Sequence, residues 1–218
     1  MNPAHLLFPP RWPAGVRLAA CFFFLACLVL SGCSRALPSV NEGDIIFHTS
    51  RSGQSQAIQQ ATGSRYSHMG IILFRQGKPY VFEASAHVVS TPLADWIARG
   101  VDGHYVVKRL KTAAQTLTPQ ALKKLHETAD TFAGKSYDLT FEWSDQRMYC
   151  SELVWKIYDR ALGLRIGKLQ KLGEFNLDAP AVKQKIKERY GDHVPLDETV
   201  ISPQAMFESP LLAVVAEQ

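Results

Sequence analysis

Two apolar runs, "YSHMGIILF" (66–74) and "PYVFEAS" (79–85), are separated by Gln76-Gly77, and this arrangement constrains the fold more than any other feature of the chain. Each run is rich in β-branched and aromatic residues, and glycine supplies the positive φ that a tight hairpin turn demands. With Gln76 and Gly77 as a two-residue loop, Arg75 pairs with Lys78, Gly70 faces Glu83 and His68 faces Ser85. Glu83 is then a diagonal neighbour of His68 on one face, and it is the only acid on either strand. A carboxylate buried in an apolar strand is costly unless paired, and a histidine is a suitable partner. The alternative at this point is a glutamate on a solvated edge beside a satisfied core histidine.

Further elements surround the hairpin. "DIIFH" (44–48) reads as a short strand, and 52–62 as a helix with Ser52 as N-cap and Gly63 as its stop. "DGHYVVKRL" (102–110) is expected to add a third strand to the hairpin sheet. Residues 118–134 carry the clearest helical pattern, with Thr118 as cap, Pro119 in the first turn, Leu122, Leu125 and Ala129 on one face and Gly134 at the end. A second helix is expected over 150–162, with Leu153, Val154, Ile157 and Ala161 as its buried stripe and Gly163 as its stop. Residues 178–190 suggest one more helix inside a lysine-rich stretch, 164–198, that reads as a solvated face. Strands grouped together with helices at either end imply an α+β fold.

The N-terminus reads as a targeting device. Arg11 and Arg17 precede an unbroken apolar run, Leu18 to Leu30, too short to span a bilayer comfortably, and "LSGC" follows. Leu30-Ser31-Gly32-Cys33 resembles the lipobox of bacterial lipoproteins, which implies a signal peptide over 1–32, acylation of Cys33, a short tether over 33–40 and a single domain over 41–218. Ser34 stands where an aspartate would signal retention in the inner membrane, so the resemblance implies a periplasm-facing lipoprotein of the outer membrane. Without the leader the chain has 186 residues, enough for one domain with a core. Its net charge falls from +4 to +2 with the loss of two arginines, which leaves no basic field for nucleic acid.

Removing the leader also removes Cys21 and Cys27, and acylation consumes Cys33, so Cys150 is the one thiol left. An unpaired cysteine in an oxidising compartment invites the question of reactivity, against the plainer reading of a small buried side chain. Cys150 heads a helix, where the positive end of the helix dipole favours a thiolate. Hydrolysis also needs a histidine to move protons and a polar group to orient it. His126, His193 and His104 read as solvated; His48 and His87 flank strands and stay open. His68 stands out because Gly70, on the same face, leaves room beside the imidazole. Asp44 reads as a structural turn residue, and Trp143 and Trp155 as core.

"EGDIIF", "YSHMGII", "YVFEA", "GKSYD", "YCSELVWKIY" and "ISPQAMF", in that order, resemble the circularly permuted papain-like cysteine hydrolases related to the NlpC-type cell-wall amidases, of the YiiX/YebB-like branch. The permutation is visible in the order, with the histidine and acid first and the cysteine helix last. The resemblance implies an antiparallel sheet packed against a helix headed by the catalytic cysteine. It implies Cys150 as nucleophile, His68 as general base and acid, and Glu83 as the orienting third member. Tyr66 and Tyr149 match positions near the cysteine and are candidates for substrate binding. A backbone N–H near Cys150 would serve as oxyanion donor. No metal or organic cofactor is expected. Glu83 departs from relatives that use a second histidine in its place.

Three functions stay open at this level. One is an amidase or endopeptidase acting on peptidoglycan-derived or other envelope amides. Another is a lipid-directed acyl hydrolase or acyltransferase. The third is an envelope binding module with an inert triad.

Overall fold

The computed structural model describes residues 37–218, so the leader and Cys33 lie outside the described residues. The domain begins with β1 (Ile45–His48), all four residues of which are buried. Helix α1 (Gly53–Thr62) follows; the Ser52 side chain accepts from the Ser55 N–H, and Gly63 ends the helix at φ 67°, a conformation that costs glycine nothing because it lacks a Cβ. Strands β2 (His68–Arg75) and β3 (Lys78–Ala84) form the expected hairpin. Gln76 and Gly77 have φ of 51° and 74°, the two positive values of a type I′ turn. Arg75 pairs with Lys78, and the register runs unbroken to Ile71 opposite Phe82.

Strand β4 (Val88–Pro92) and the short helix α2 (Leu93–Ala98) come next; neither carries a periodic signal long enough to read from sequence. Strand β5 (Val106–Leu110) is shorter than the 102–110 run because Val101–Gly103 winds into a single 3-10 turn. It pairs with β1, not with the hairpin. After the one-turn helix α3 (Ala113–Thr116) comes α4 (Pro119–Asp130), capped by the Thr118 side chain. This helix stops four residues before Gly134, whose N–H is drawn away to the carbonyl of Val88. Helix α5 (Cys150–Leu162) ends at Gly163 with φ 68°. The chain closes with β6 (Gln170–Lys171), α6 (Pro180–Tyr190), β7 (Thr199–Val200), α7 (Pro203–Phe207) and β8 (Leu212–Glu217).

Six strands form one antiparallel sheet in the order β4-β3-β2-β1-β5-β8, and β6 pairs with β7 apart from it. Both faces of the sheet are covered. Ile45, Phe47, Met69 and Ile71 pack towards α5, while Ile46, Ile72, Val81 and Val107 pack with Leu93 and Trp96 of α2 on the other face. Alternation along each strand therefore serves two cores. Helix α5 is more deeply set than a one-sided apolar stripe implies, because every residue from Cys150 to Tyr158 is buried. That includes Lys156 and Glu152, whose Nζ and Oε1 lie 2.7 Å apart. Burial lifts the Glu152 carboxyl to about 7 in spite of this partner.

Candidate active site

Three elements converge on one point. Cys150 is the first residue of α5, 2% exposed. Its helix start is fixed by Glu152, which accepts from the Tyr149 N–H, and by the closing segment of the chain: Ser151 Oγ donates to the Ile201 carbonyl at 2.8 Å, and the Ile201 N–H donates to the Tyr149 hydroxyl at 3.1 Å. The first N–H groups of a helix have no intrahelical acceptor, so the backbone around Cys150 is positive in character.

His68 opens β2 and reaches the helix. Its Nε2 lies 2.6 Å from Glu83 Oε2, and the Cys150 side chain is near enough to favour the imidazolium. Burial works against the imidazolium, but the Cys150 and Glu83 side chains outweigh it and hold the His68 pKa at about 9. Gly70 makes the diagonal contact possible. A Cβ there would stand 2.4 Å from Val81 Cγ1, 2.8 Å from the Phe82 carbonyl oxygen and 3.3 Å from Glu83 Cβ.

Glu83 is fully buried, not on a solvated edge. Four donors hold its two oxygens: Nε2 of His68, Oγ1 of Thr91 at 2.6 Å, Nε1 of Trp96 at 3.1 Å, and the guanidinium of Arg99. Burial would raise its pKa; the His68 hydrogen bond and charge, then Thr91 and Arg99, bring it down to about 2. The carboxylate is thus fixed in place and fixed in charge. Thr91 comes from β4, Trp96 from α2 and Arg99 from the residue that caps the end of α2, and sequence reasoning did not single them out; the run "STPLADWIARG" carries no motif that ties them to Glu83.

Other candidates fall elsewhere. Tyr149 lines a cavity that reaches Cys150. Tyr66 lines neither cavity described here; its ring stacks on Phe207 with centroids 4.2 Å apart. His48 is buried directly opposite His68 in the β1–β2 register and stacks on Trp96 at 3.9 Å. His126, expected on a solvated face, is partly buried with Nε2 2.7 Å from Glu42 Oε1, because its side of α4 packs on the segment before β1. Asp44 is buried and takes both Nε and Nη2 of Arg109, at 2.7 and 2.8 Å. Tyr137, within the "GKSYD" stretch, is a further residue beside Cys150; its hydroxyl accepts from Gln54 Nε2 at 2.6 Å.

Two cavities meet at this point. The first, of about 100 Å³, reaches Cys150 and is walled mainly by apolar side chains, among them Ile58, Phe141, Leu172, Phe175, Val182 and Ile186, with Lys185 and Arg189 also on its lining. Eight of its 21 lining residues come from the lysine-rich stretch expected to be a solvated face. Val182, Ile186 and Tyr190 recur every four residues along α6, one inward stripe on an otherwise charged helix. The second cavity opens on the side of His68.

A model of the family described as permuted papain-like amidase enzymes, YaeF/YiiX, matches residues 39–216. The chain belongs to this family. The uncharacterized protein YiiX of Escherichia coli strain K12 is 54% identical over 176 residues, 81% of this chain and 86% of that protein. A crystal structure described as that of the metalloprotein YiiX from Escherichia coli O157:H7 superposes with a TM-score of 0.78 at 54% identity, covering 82% of this chain and 97% of the other. The permuted papain-like amidase fold, with its antiparallel sheet against the cysteine-headed helix, is therefore the fold of this protein. A thiol, an imidazole and a buried carboxylate in series suit the acyl-transfer chemistry of such amidases.

Proposed function

We propose that the protein is a thiol amidase of the bacterial envelope that cleaves an amide whose acyl part is apolar. The observation that carries this reading is the chain Cys150–His68–Glu83 opening onto the apolar cavity. Such a wall suits hydrocarbon better than a charged stem peptide, which favours N-acyl compounds over peptidoglycan peptides among envelope amides.

In this reading the Cys150 thiolate attacks the amide carbonyl carbon and forms the C–S bond. The oxyanion is met by the backbone N–H of Cys150 and by the hydroxyl of Tyr137, whose oxygen accepts from Gln54 and whose proton is free for the substrate. The His68 imidazolium passes its proton to the leaving nitrogen as the C–N bond breaks, leaving a thioester. His68 then takes a proton from water, the hydroxide displaces sulfur, and the carboxylate product leaves. Glu83 holds the ring and stabilises its cation throughout, without itself taking the proton.

The crystal structure of the relative bears the word metalloprotein. Among the described residues here no group of three or more His, Cys, Asp or Glu side chains is arranged to hold a metal ion, and the oxygens of Glu83 are already taken by four donors. No step above passes through a metal.

The same cavity suits the acyl chain of an ester, and a thiolate attacks esters as well as amides, so a lipid-directed acyl hydrolase is the second reading. The envelope setting rests on "LSGC" in the leader; palmitate incorporation abolished by Cys33→Ser, with outer-membrane fractionation, tests it. The activity is tested with purified protein on N-acyl glycinamides, glycerol esters of the same acids, and muropeptides. Cys150-dependent release from the acyl amides is expected; turnover of muropeptides alone would overturn the apolar-acyl reading.

A further inference from the structure

The second cavity has a volume of about 610 Å³ and a more polar wall than the first. It is lined by two arginines, Arg51 and Arg99, by two histidines, His48 and His68, and by six serines, and among the described residues no carboxylate lines it. The N-terminus of α1 also borders it, with Ser52 at the cap. Serine hydroxyls are tied together along this wall: Ser55 Oγ lies 2.5 Å from Ser67 Oγ, which accepts from the Ser50 N–H at 3.1 Å. A wall of cations, hydroxyls and helix N–H groups is suited to an oxyanion.

His48 borders the chamber but is only 1% exposed, and its Nδ1 is shut away from solvent beside Gly100. Burial, reinforced by the neighbouring His68, drives its pKa down to about 3, so it is a neutral imidazole, able to give or take a hydrogen bond without adding charge. Neither arginine is exhausted by its partner. Arg51 makes only a loose, exposed contact of 3.8 Å with Asp102. Arg99 spends one amino group on Glu83 while its side chain stays 46% exposed.

Position supplies the assignment. In amide hydrolysis the leaving amine departs on the side from which the imidazolium delivers its proton. The apolar cavity reaches Cys150, whereas this chamber is lined by His68, and Tyr137 and Ile58 border both. We infer that the chamber is the leaving-group site and that it takes an amine bearing an oxyanion, a carboxylate or a phosphate, held by Arg51 and Arg99. This deepens the proposed function and rests on it: the substrate has an apolar acyl part and an anionic amine part, as an N-acyl amino acid does.

The test uses the full-length protein, solubilised in detergent, as Cys150→Ala so that binding is read without turnover. Dissociation constants are measured by calorimetry for N-octanoylglycine, N-octanoylglycine phosphonate analogue and the neutral N-octanoylglycinamide. The expected result is at least ten-fold tighter binding of one or both anions than of the amide, reduced to less than three-fold by Arg51→Gln and retained by Arg51→Lys. Arg51 is 64% exposed in its side chain, so neither variant endangers folding. Equal affinities for all three compounds, or a preference that persists in both Arg51→Gln and Arg51→Gln/Arg99→Gln, would overturn the inference. Failure of wild-type protein to hydrolyse any of these amides, with the anion preference intact, would instead sink the amidase reading and leave the chamber as an anion site.

Discussion

His68 Nε2 and Glu83 Oε2 stand 2.6 Å apart, joined diagonally across the β2–β3 hairpin over a glycine that leaves them room. The carboxylate raises the basicity of the ring, and the ring cation in turn keeps the carboxylate ionised. Replacing Glu83 with Gln keeps a hydrogen-bonding group of the same shape but removes the charge that favours the imidazolium. The His68 pKa must then fall from about 9. The pH profile of kcat/KM for Glu83→Gln is expected to lose its alkaline limb at least one unit lower than wild type, with activity down about 100-fold at the optimum. An unmoved limb would mean that Glu83 orients the ring without tuning it.

The same pair predicts how stability varies with pH. His68 is raised from 6.5 to about 9, so its contribution is complete below pH 6.5 and is lost as pH rises through 9. Glu83 is lowered from 4.5 to about 2, so its contribution is present above pH 4.5 and is lost as pH falls through 2. The Tm difference between wild type and His68→Gln is therefore expected to be largest between pH 4.5 and 6.5 and to shrink steadily towards pH 9. A difference that stays constant across this range contradicts the coupling.

Gly70→Ala tests the packing that permits the contact. The added methyl would overlap Val81 Cγ1 and the Phe82 carbonyl, and the carbonyl belongs to a central sheet ladder that cannot yield cheaply. A loss of about 1–3 kcal/mol by urea denaturation is expected, together with reduced activity because the displaced strand carries Glu83. A neutral effect on both would show that β3 shifts freely.

Trp96→Phe removes one donor to Glu83 while filling most of the same space beneath His48. Leaving a buried carboxylate short of a partner costs about 1–3 kcal/mol, and the looser carboxylate should lower kcat more than it raises KM. Equal stability with unchanged kcat would mean that water or Arg99 replaces the indole.

The hairpin was legible because its turn chemistry and its strand period agree: Gln76-Gly77 sets the register, and the register sets the His68–Glu83 diagonal. Helix α5 was legible from Cys150 to Gly163 because a glycine stop and an apolar repeat coincide. What surrounds Glu83 was not. Thr91, Trp96 and Arg99 lie 8 to 16 residues beyond it, on a five-residue strand, a six-residue helix and the residue that caps that helix, and only the folded sheet edge brings them back to one carboxylate. The apolar side of α6 was hidden by composition. Lys183, Lys185 and Lys187 dominate the local average, whereas the information lies in the four-residue spacing of Val182, Ile186 and Tyr190.

The acyl cavity makes a graded prediction. Each methylene buried there is worth about 0.8 kcal/mol, so kcat/KM for N-acyl glycines should rise about four-fold per added carbon until the cavity is full. Ile186→Asp on α6 should flatten that series. A series flat in wild type would remove the cavity from substrate binding.

The central claim, an activated thiol–imidazole pair, is tested most directly by the pH dependence of iodoacetamide alkylation at Cys150, in protein starting after Cys33 and in the same protein with His68→Ala. Labelling that persists well below the ordinary thiol pKa of about 8.5, and that moves up towards it without His68, is the predicted result. Labelling that is slow, follows an ordinary thiol profile and ignores His68 would contradict the account and make Cys150 an inert buried cysteine in a binding module.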